Sequence, residues 1–178
     1  MSGGLLSGFL DLPAISRVRR NHALEHATLQ ILAERGGNVR LMGRSSIWGF
    51  TVYGDIDTRE LLDAAQDGLK RLRAGQRGLA VHPNCGSNYA VAGVIAGLGA
   101  FLALGGVTRD ENEGMLDRLS RLPMACAVGT LGVIASRPLG TAFQARVTTK
   151  ADVGDLQITS VTKSSRARTT IHLVRTKG

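Results

Sequence analysis

Aromatic residues are scarce in this sequence: they make up 4% of its 178 residues, with four phenylalanines, two tyrosines and one tryptophan. Modules that bind nucleic acids by base stacking need exposed aromatic side chains. The chain is nevertheless basic, with a formal net charge of +8 and a sequence pI of about 10.5. The composition therefore argues against a nucleic-acid partner and fits a protein that lies against an anionic membrane surface.

Cysteine is also rare, and the N-terminus has few of the features of a secreted protein. Cys85 lies just before an apolar stretch and Cys126 lies within one, so the two predict no disulfide framework. Asp11 and Pro13 interrupt the mildly apolar N-terminus, which has no basic n-region. We therefore expect no signal peptide and a reducing, cytoplasmic environment for the cysteines.

Two long uncharged stretches stand in the middle of the chain. Tyr89–Thr108 contains 20 residues without a charge, which is the length of a bilayer span. The second stretch, Leu122–Ser136, is short by itself and becomes long enough only if it continues past Arg137-Pro138 to about Gln144. Together they predict a transmembrane helical hairpin. The alternative is a buried helical hairpin in a soluble protein.

The distribution of charge gives the hairpin an orientation. From Arg137 onward there are eight Lys+Arg against two Asp+Glu, whereas the loop 109–121 contains three and four. Basic residues favour the cytoplasmic side of a membrane. We therefore expect a protein integral to the cytoplasmic membrane with both termini in the cytoplasm. The lipid bilayer is the first expected partner, and a homo-oligomer or a membrane-complex partner is left open.

The segments outside the hairpin have the periodicities of short helices and strands. We predict an α+β fold in three parts: an α-β-β-α-β domain over 1–88, the transmembrane helical hairpin over 89–144, and a basic β-hairpin tail over 145–178. The tail is expected to pair near the membrane face or against the N-terminal sheet. The predicted elements are a helix over 17–34, strands over 38–42 and 47–53 joined by a turn at 43–46, a helix from an N-cap at Thr58 to Gly75, a strand over 79–82, and tail strands over 156–162 and 169–175.

The most specific motif is the H-x-x-E-H sequence from His22 to His26. In a helix, His22 and His26 are one turn apart on one face, and two imidazoles so placed can bind one metal ion. Glu25 borders the same face, where it can act as general base on a zinc-bound water. The alternative is a histidine pair without metal, with Glu25 bridging to Arg19 or Arg20.

A second segment, V-H-P-N-C-G, supplies His82 and Cys85, three residues apart. Imidazole and thiolate are both good zinc ligands. We predict a zinc site of His22, His26 and His82, with Cys85 as fourth ligand or neighbour. If Cys85 binds, four protein ligands make the site structural; if it does not, a water remains and the site is catalytic. The alternative to a metal site is that the segment His82–Cys85 is a loop in which Asn84 caps the following helix.

The order of motifs in residues 17–75 resembles the start of the pitrilysin/insulinase-type zinc peptidases. The shared features are the H-x-x-E-H helix, a Gly-Gly pair, two strands ending in Y-G-D and a leucine-rich helix. This resemblance implies that His22 and His26 are zinc ligands and that Glu25 is the general base. In that family the third zinc ligand is a glutamate on a later helix. In this chain His82 is better positioned to be the third ligand than the acidic residues that follow the motif.

Over its whole length the chain resembles an uncharacterised family of short bacterial membrane proteins. The matching segments are N-H-A-L-E-H-A-T at Asn21–Thr28, V-H-P-N-C-G at Val81–Gly86 and an A-R-P-L-G-like segment at Ser136–Gly140. This resemblance supports the architecture and names no reaction.

Two functions are compatible with these observations. The first is a membrane-anchored zinc-dependent hydrolase, a metallopeptidase acting on a peptide or protein substrate. The second is a non-catalytic integral membrane scaffold or assembly subunit with a structural His/Cys metal site. A soluble or lipid-binding protein without metal is the remaining alternative.

Overall fold

The computed structural model describes residues 4–36, 41–106, 114–166 and 169–178. The chain forms two compact units. The first combines Met1–His82 with Ala145–Gly178, and the second is Pro83–Gln144. Helices and a four-stranded antiparallel sheet occur together, which confirms the predicted α+β class.

The first unit contains helices and the whole of the described sheet. Its helices are α1 (Leu5–Leu10), α2 (Pro13–Glu34) and α3 (Thr58–Arg73). Its strands are β1 (Met42–Ser46), β2 (Gly49–Tyr53), β3 (Gln157–Arg166) and β4 (Thr169–Lys177). The strand order is β1-β2-β4-β3, and all neighbouring strands are antiparallel. The C-terminal hairpin therefore extends the N-terminal sheet, which is one of the two placements expected for the tail.

Helix α2 is the central element of this unit. It begins at Pro13, earlier than predicted, because proline at the start of a helix already has a suitable φ and its missing N–H costs nothing there. It ends at Glu34, before Gly36 adopts a φ of 83°. Leu24 and Ile31 are fully buried in the core that α2 shares with the sheet and α3.

Helix α3 begins with an aspartate N-cap and packs closely against α2. Its N-cap is Asp57, whose carboxylate accepts hydrogen bonds from the backbone N–H groups of Arg59 and Glu60. The helix approaches α2 closely at Gly68, where an added Cβ would lie 3.1 Å from the Cβ of Ala27. This close approach leaves little room for a side chain at position 68.

The first hairpin is shifted relative to the prediction. Residues 43–46, predicted to form the turn, belong to β1, and Ile47 and Trp48 form the turn instead. Glycine and serine are typical of turns, but pairing with β2 and packing against α2 decide the conformation here. Positions 38–40 of the predicted strand lie outside the described residues.

The predicted short strand at 79–82 is not a strand. A 3-10 helix, Arg77–Ala80, precedes an extended residue at Val81. Leu79 and Ala80 are buried in the core. Their apolar character therefore reflects burial against the helices, which periodicity alone does not distinguish from pairing in a sheet.

The second unit consists of helices. They are α4 (Gly86–Ala103), α5 (Met115–Ser120) and α6 (Leu122–Phe143), and a π-helical turn, Gln144–Thr148, continues α6. Two stretches, Gly86–Ala103 and Met115–Thr148, are long and apolar enough to cross a membrane. Helix α6 continues through Pro138 to Phe143, which gives the second apolar stretch the length that a span needs. Helix α5 lies in the predicted loop, of which positions 109–113 lie outside the described residues.

Helices α4 and α6 contact each other through small residues. An added Cβ at Gly132 would lie 3.0 Å from the Cα of Ala96. Large apolar side chains are instead exposed: Leu98 is 59% and Leu131 64% accessible. Small residues between helices and large apolar residues on the outer face are typical of helix pairs in lipid.

Candidate metal centre

Three of the four histidines lie close together in the first unit. Helix α2 places the ring centroids of His22 and His26 4.3 Å apart, with their planes tilted by 60°. His82, which follows the 3-10 helix, has its ring centroid 5.7 Å from that of His26. The three rings therefore lie near one another, but among the described residues His82 is not part of the group that contains His22 and His26 and whose ligand atoms lie within 4.8 Å of one another.

Backbone carbonyls orient the rings of His22 and His26. Nδ1 of His22 lies 3.0 Å from the carbonyl oxygen of Thr148, and Nδ1 of His26 lies 2.8 Å from that of Ala80. A carbonyl oxygen only accepts, so each Nδ1 carries the hydrogen and donates it. In the neutral imidazole the lone pair is then on Nε2. Metal-binding histidines commonly make this second hydrogen bond, which fixes tautomer and ring orientation.

The same helix also holds the segment that leads to His82. Gln30, one turn after His26, donates from Nε2 to the carbonyl oxygens of Leu79 at 2.9 Å and Val81 at 3.1 Å. Together with the His26 bond, these contacts attach the 3-10 helix to α2. The position of His82 therefore depends on α2.

Glu25 is buried between helix α2 and strand β1. Glu25 is only 4% exposed. Its carboxylate accepts a hydrogen bond from Oγ of Ser45. Gly43 lies on the same strand face, and a Cβ there would collide with this carboxylate. Burial of a carboxylate is costly unless hydrogen bonds accompany it. Ser45 and Gly43 were not predicted as site residues, because both were assigned to a turn; their i, i+2 spacing was the available signal.

The two arginines considered as partners of Glu25 have other acceptors. Arg20 forms an ion pair with Asp155 at 2.8 Å. Arg19 donates to the carbonyl oxygens of Arg146 at 2.8 Å and Thr149 at 3.1 Å. Both arginines therefore tie α2 to the C-terminal segment of the first unit.

Asn21 is a further residue that the sequence did not single out. It is fully buried beside His22 in sequence. Its Nδ2 donates to the carbonyl oxygen of Ser46 at 2.8 Å, and its Oδ1 accepts from Oγ1 of Thr176 at 2.7 Å. Asn21 thus fixes α2 to the edge strand β1 and the central strand β4, and with them the rotation of α2 that sets the direction of its histidines.

Cys85 belongs to the second unit, where it is the N-cap residue of α4. Its Sγ lies 3.2 Å from Oγ of Ser87. A thiol is a third type of donor that can hold a metal ion together with two imidazoles. Because Cys85 is the third residue after His82 in the chain, their Cα atoms lie within about 11 Å of each other.

The fourth histidine, His172, has a different environment. It is fully buried on β4, and its Nε2 lies 3.2 Å from Oγ1 of Thr58. Its Nδ1 is buried and has no hydrogen-bond partner among the described residues. Burial lowers the pKa of His172, and the charge of Lys163 lowers it further, against the opposing effects of Asp57 and Asp55. His172 is therefore neutral at pH 7.

Comparison with known proteins places this chain in a family. A family model described as a domain of unknown function (DUF6391) matches residues 17–161, so the chain belongs to this family. An uncharacterized protein of Picosynechococcus sp. is 37% identical over 83 residues, which are 42% of this chain and 40% of the relative. The chain thus spans less than half the length of that relative. No solved structure matches the chain.

Proposed function

We propose that this member of the DUF6391 family is a membrane-anchored, zinc-dependent hydrolase, most simply a peptidase. The observation that carries the proposal is the pair of hydrogen bonds from Nδ1 of His22 and His26 to backbone carbonyls. These bonds place the lone pair of each neutral ring on Nε2, the atom that would bind the metal. The H-x-x-E-H spacing is that of the inverted zinc peptidases, which the N-terminal segment resembles.

Zinc fits the donor types at this centre. His22 and His26 would hold the ion, and His82 or Cys85 would supply a third ligand; zinc commonly binds three or four such ligands. Bound zinc supplies a Lewis acid that polarises a carbonyl group and acidifies water. The neutral imidazoles and a thiolate are the protonation states that zinc binding needs.

Glu25 would act as the general base. Its carboxylate is buried, held by Ser45 and given room by Gly43. A fixed, dehydrated carboxylate one residue before His26 is suited to accept a proton from water, a role that typically contributes about 10²–10⁴ in rate. Ser45 and Gly43 are then positioning residues, because they act through Glu25.

A small apolar cavity next to His82 supports a peptide or protein substrate. It has a volume of about 130 Å³, and Glu60 and His82 contribute its polar groups. The remaining lining is apolar: Leu29, Leu32, Ala33, Leu41 and Ile56. A cavity of this chemistry would accept an apolar side chain, while the nearby histidines would face the polar backbone of the substrate.

The two apolar stretches, Gly86–Ala103 and Met115–Thr148, would anchor the protein in the cytoplasmic membrane. The excess of Lys and Arg near both ends of the chain supports cytoplasmic termini. The bilayer is then the principal partner, a second copy or a membrane-complex subunit is a further candidate, and no nucleic-acid partner is proposed.

Cys85 favours a second candidate function, a non-catalytic membrane scaffold with a structural metal site. If His22, His26, His82 and Cys85 all bound zinc, the tetrahedral coordination would be complete. Water would then have no place on the ion, and the site would stabilise the fold without performing hydrolysis.

Zinc content and peptide hydrolysis, measured on the same purified samples, separate the two functions. For the hydrolase, wild type cleaves an apolar peptide library, and Glu25→Gln retains zinc but loses at least about 10²-fold in rate. Glu34→Gln is the matched control, because Glu34 is an exposed residue of α2 whose ion pair with Arg71 lies at the surface. Wild type that holds zinc without cleaving, and releases it in Cys85→Ser, would establish the structural site instead.

A further inference from the structure

A second cavity in the first unit is lined by charged side chains. It has a volume of about 310 Å³, and Arg19, Arg77 and Lys150 line it together with one carboxylate, Asp152. The other lining residues are small or apolar apart from Thr149. Three cations around a space of this size make it a candidate site for an anion, and none of them belongs to the proposed metal ligands.

The positive charge of Arg19 is held in place without being neutralised. Its guanidinium donates from Nη1 to the carbonyl oxygen of Leu10 at 3.2 Å, and from Nη2 to those of Arg146 and Thr149. Carbonyl oxygens orient the group but carry no net charge. The Nε of Arg19 is buried and has no hydrogen-bond partner among the described residues, which leaves one donor of a fixed cation unused.

The charges around the cavity do not balance. Lys150 forms an ion pair with Asp11 at 3.0 Å, an exposed pair that an anion can compete with. Oδ1 of Asp152 accepts the backbone N–H of Gly154 at 3.1 Å. The local charge is therefore +1, since three cations (Arg19, Arg77 and Lys150) face two carboxylates (Asp11 and Asp152). A monoanionic group in the cavity would neutralise it.

We propose that this cavity binds a phosphate group, supplied as free phosphate or as the headgroup of an anionic lipid. A phosphate oxygen cluster can face three cations at once, whereas a carboxylate presents two oxygens on one edge. Arg19 is the pre-oriented cation, and Arg77 and Lys150 complete the site from two other segments. This inference goes beyond the proposed hydrolase and does not depend on it.

Titration calorimetry on the full chain in an uncharged detergent, at constant ionic strength, tests the site with inorganic phosphate. Arg77→Gln is expected to weaken phosphate binding by about tenfold, as expected for loss of one charge-assisted hydrogen bond. Arg59→Gln is the matched control, since Arg59 is also exposed and lies outside the cavity. Equal affinities of Arg77→Gln and Arg59→Gln would overturn the proposal.

A gain of affinity provides a test that misfolding cannot imitate. Asp152→Asn keeps an oxygen to accept the N–H of Gly154 but removes the negative charge, so phosphate is expected to bind several-fold more tightly. An unchanged or weaker affinity in a folded Asp152→Asn protein would contradict the site.

Short-chain phosphatidylglycerol and phosphatidylcholine identify the source of the phosphate group. Binding of phosphatidylglycerol in competition with phosphate supports a lipid headgroup site, and binding of phosphate alone supports a soluble ligand. Absence of both overturns the proposal. Zinc content, measured on every sample, is expected to be the same in Arg77→Gln, Asp152→Asn and wild type. A zinc-free wild type that binds phosphate would therefore contradict the metal centre alone.

Discussion

Gly43 lies directly beneath the carboxylate of Glu25, so close that a Cβ at position 43 would collide with it. Ser45, the next residue on the same strand face, donates a hydrogen bond to that carboxylate. One residue leaves room and the other supplies the hydrogen bond. The position of Glu25 is thus determined by strand β1 as much as by its own helix.

Gly43→Ala is expected to destabilise the protein by about 1–3 kcal/mol, the usual cost of overpacking a close contact. The free energy of unfolding in denaturant measures this change. Gly78→Ala is the matched control, because no atom lies within 4 Å of a Cβ at Gly78. In the double variant Gly43→Ala, Glu25→Ala the cost of the added methyl group should be smaller, since the colliding carboxylate is absent. Equal stability of Gly43→Ala and Gly78→Ala would contradict the contact.

His172 predicts a dependence of stability on pH. Its pKa in the folded protein is lowered, chiefly by burial, below the value of about 6.5 expected in the unfolded chain. As the pH falls, the unfolded chain therefore takes up this proton first. The contribution of neutral His172 to the free energy of unfolding is complete above the pKa of the unfolded chain. It is lost as the pH falls from that value through the lower pKa of the folded protein.

The free energy of unfolding between pH 7.5 and pH 5 measures this effect. Wild type is expected to lose stability more steeply than His172→Gln, in which the amide nitrogen can still contact Oγ1 of Thr58 and nothing titrates. Identical slopes for the two proteins would show that His172 does not contribute to the pH dependence.

Leu98 tests whether α4 faces lipid. Its side chain is 59% exposed on a helix with no charged residue, and arginine near the centre of a span costs about 2.5–3.5 kcal/mol on the insertion scale. Leu98→Arg is therefore expected to reduce the fraction that resists alkaline extraction from membranes, whereas Leu98→Ala should behave like wild type. Full retention of Leu98→Arg in the membrane fraction would argue against a lipid-facing position.

The sequence predicted those parts of the fold that depend on local pattern. The periodicity of α2 and the absence of charge in the two apolar stretches are properties of contiguous residues, and both indicated the correct elements. The turn at 43–46 was wrong because β1 is specified by its partners: β2 beside it and Glu25 above it. Gly43 leaves room for the Glu25 carboxylate and Ser45 donates a hydrogen bond to it. Local conformational preferences do not reveal either contact.

The candidate metal centre was predictable in its residue types but not in its geometry. H-x-x-E-H identified His22 and His26, since helix spacing puts them on one face. The carbonyl oxygens that orient them belong to Thr148 and Ala80, whose identity is irrelevant because backbone atoms make the contact. Such partners leave no signal in a single sequence and become visible only when the chain is folded.

The most direct test of the metal centre is the zinc content of the purified full chain, measured by mass spectrometry after dialysis against metal-free buffer. The proposal predicts about one zinc per chain in wild type, a near-complete loss in His22→Ala and His26→Ala, and retention in His172→Gln, which removes a histidine outside the cluster. Zinc-free wild type, or zinc retained in both His22→Ala and His26→Ala, would contradict it.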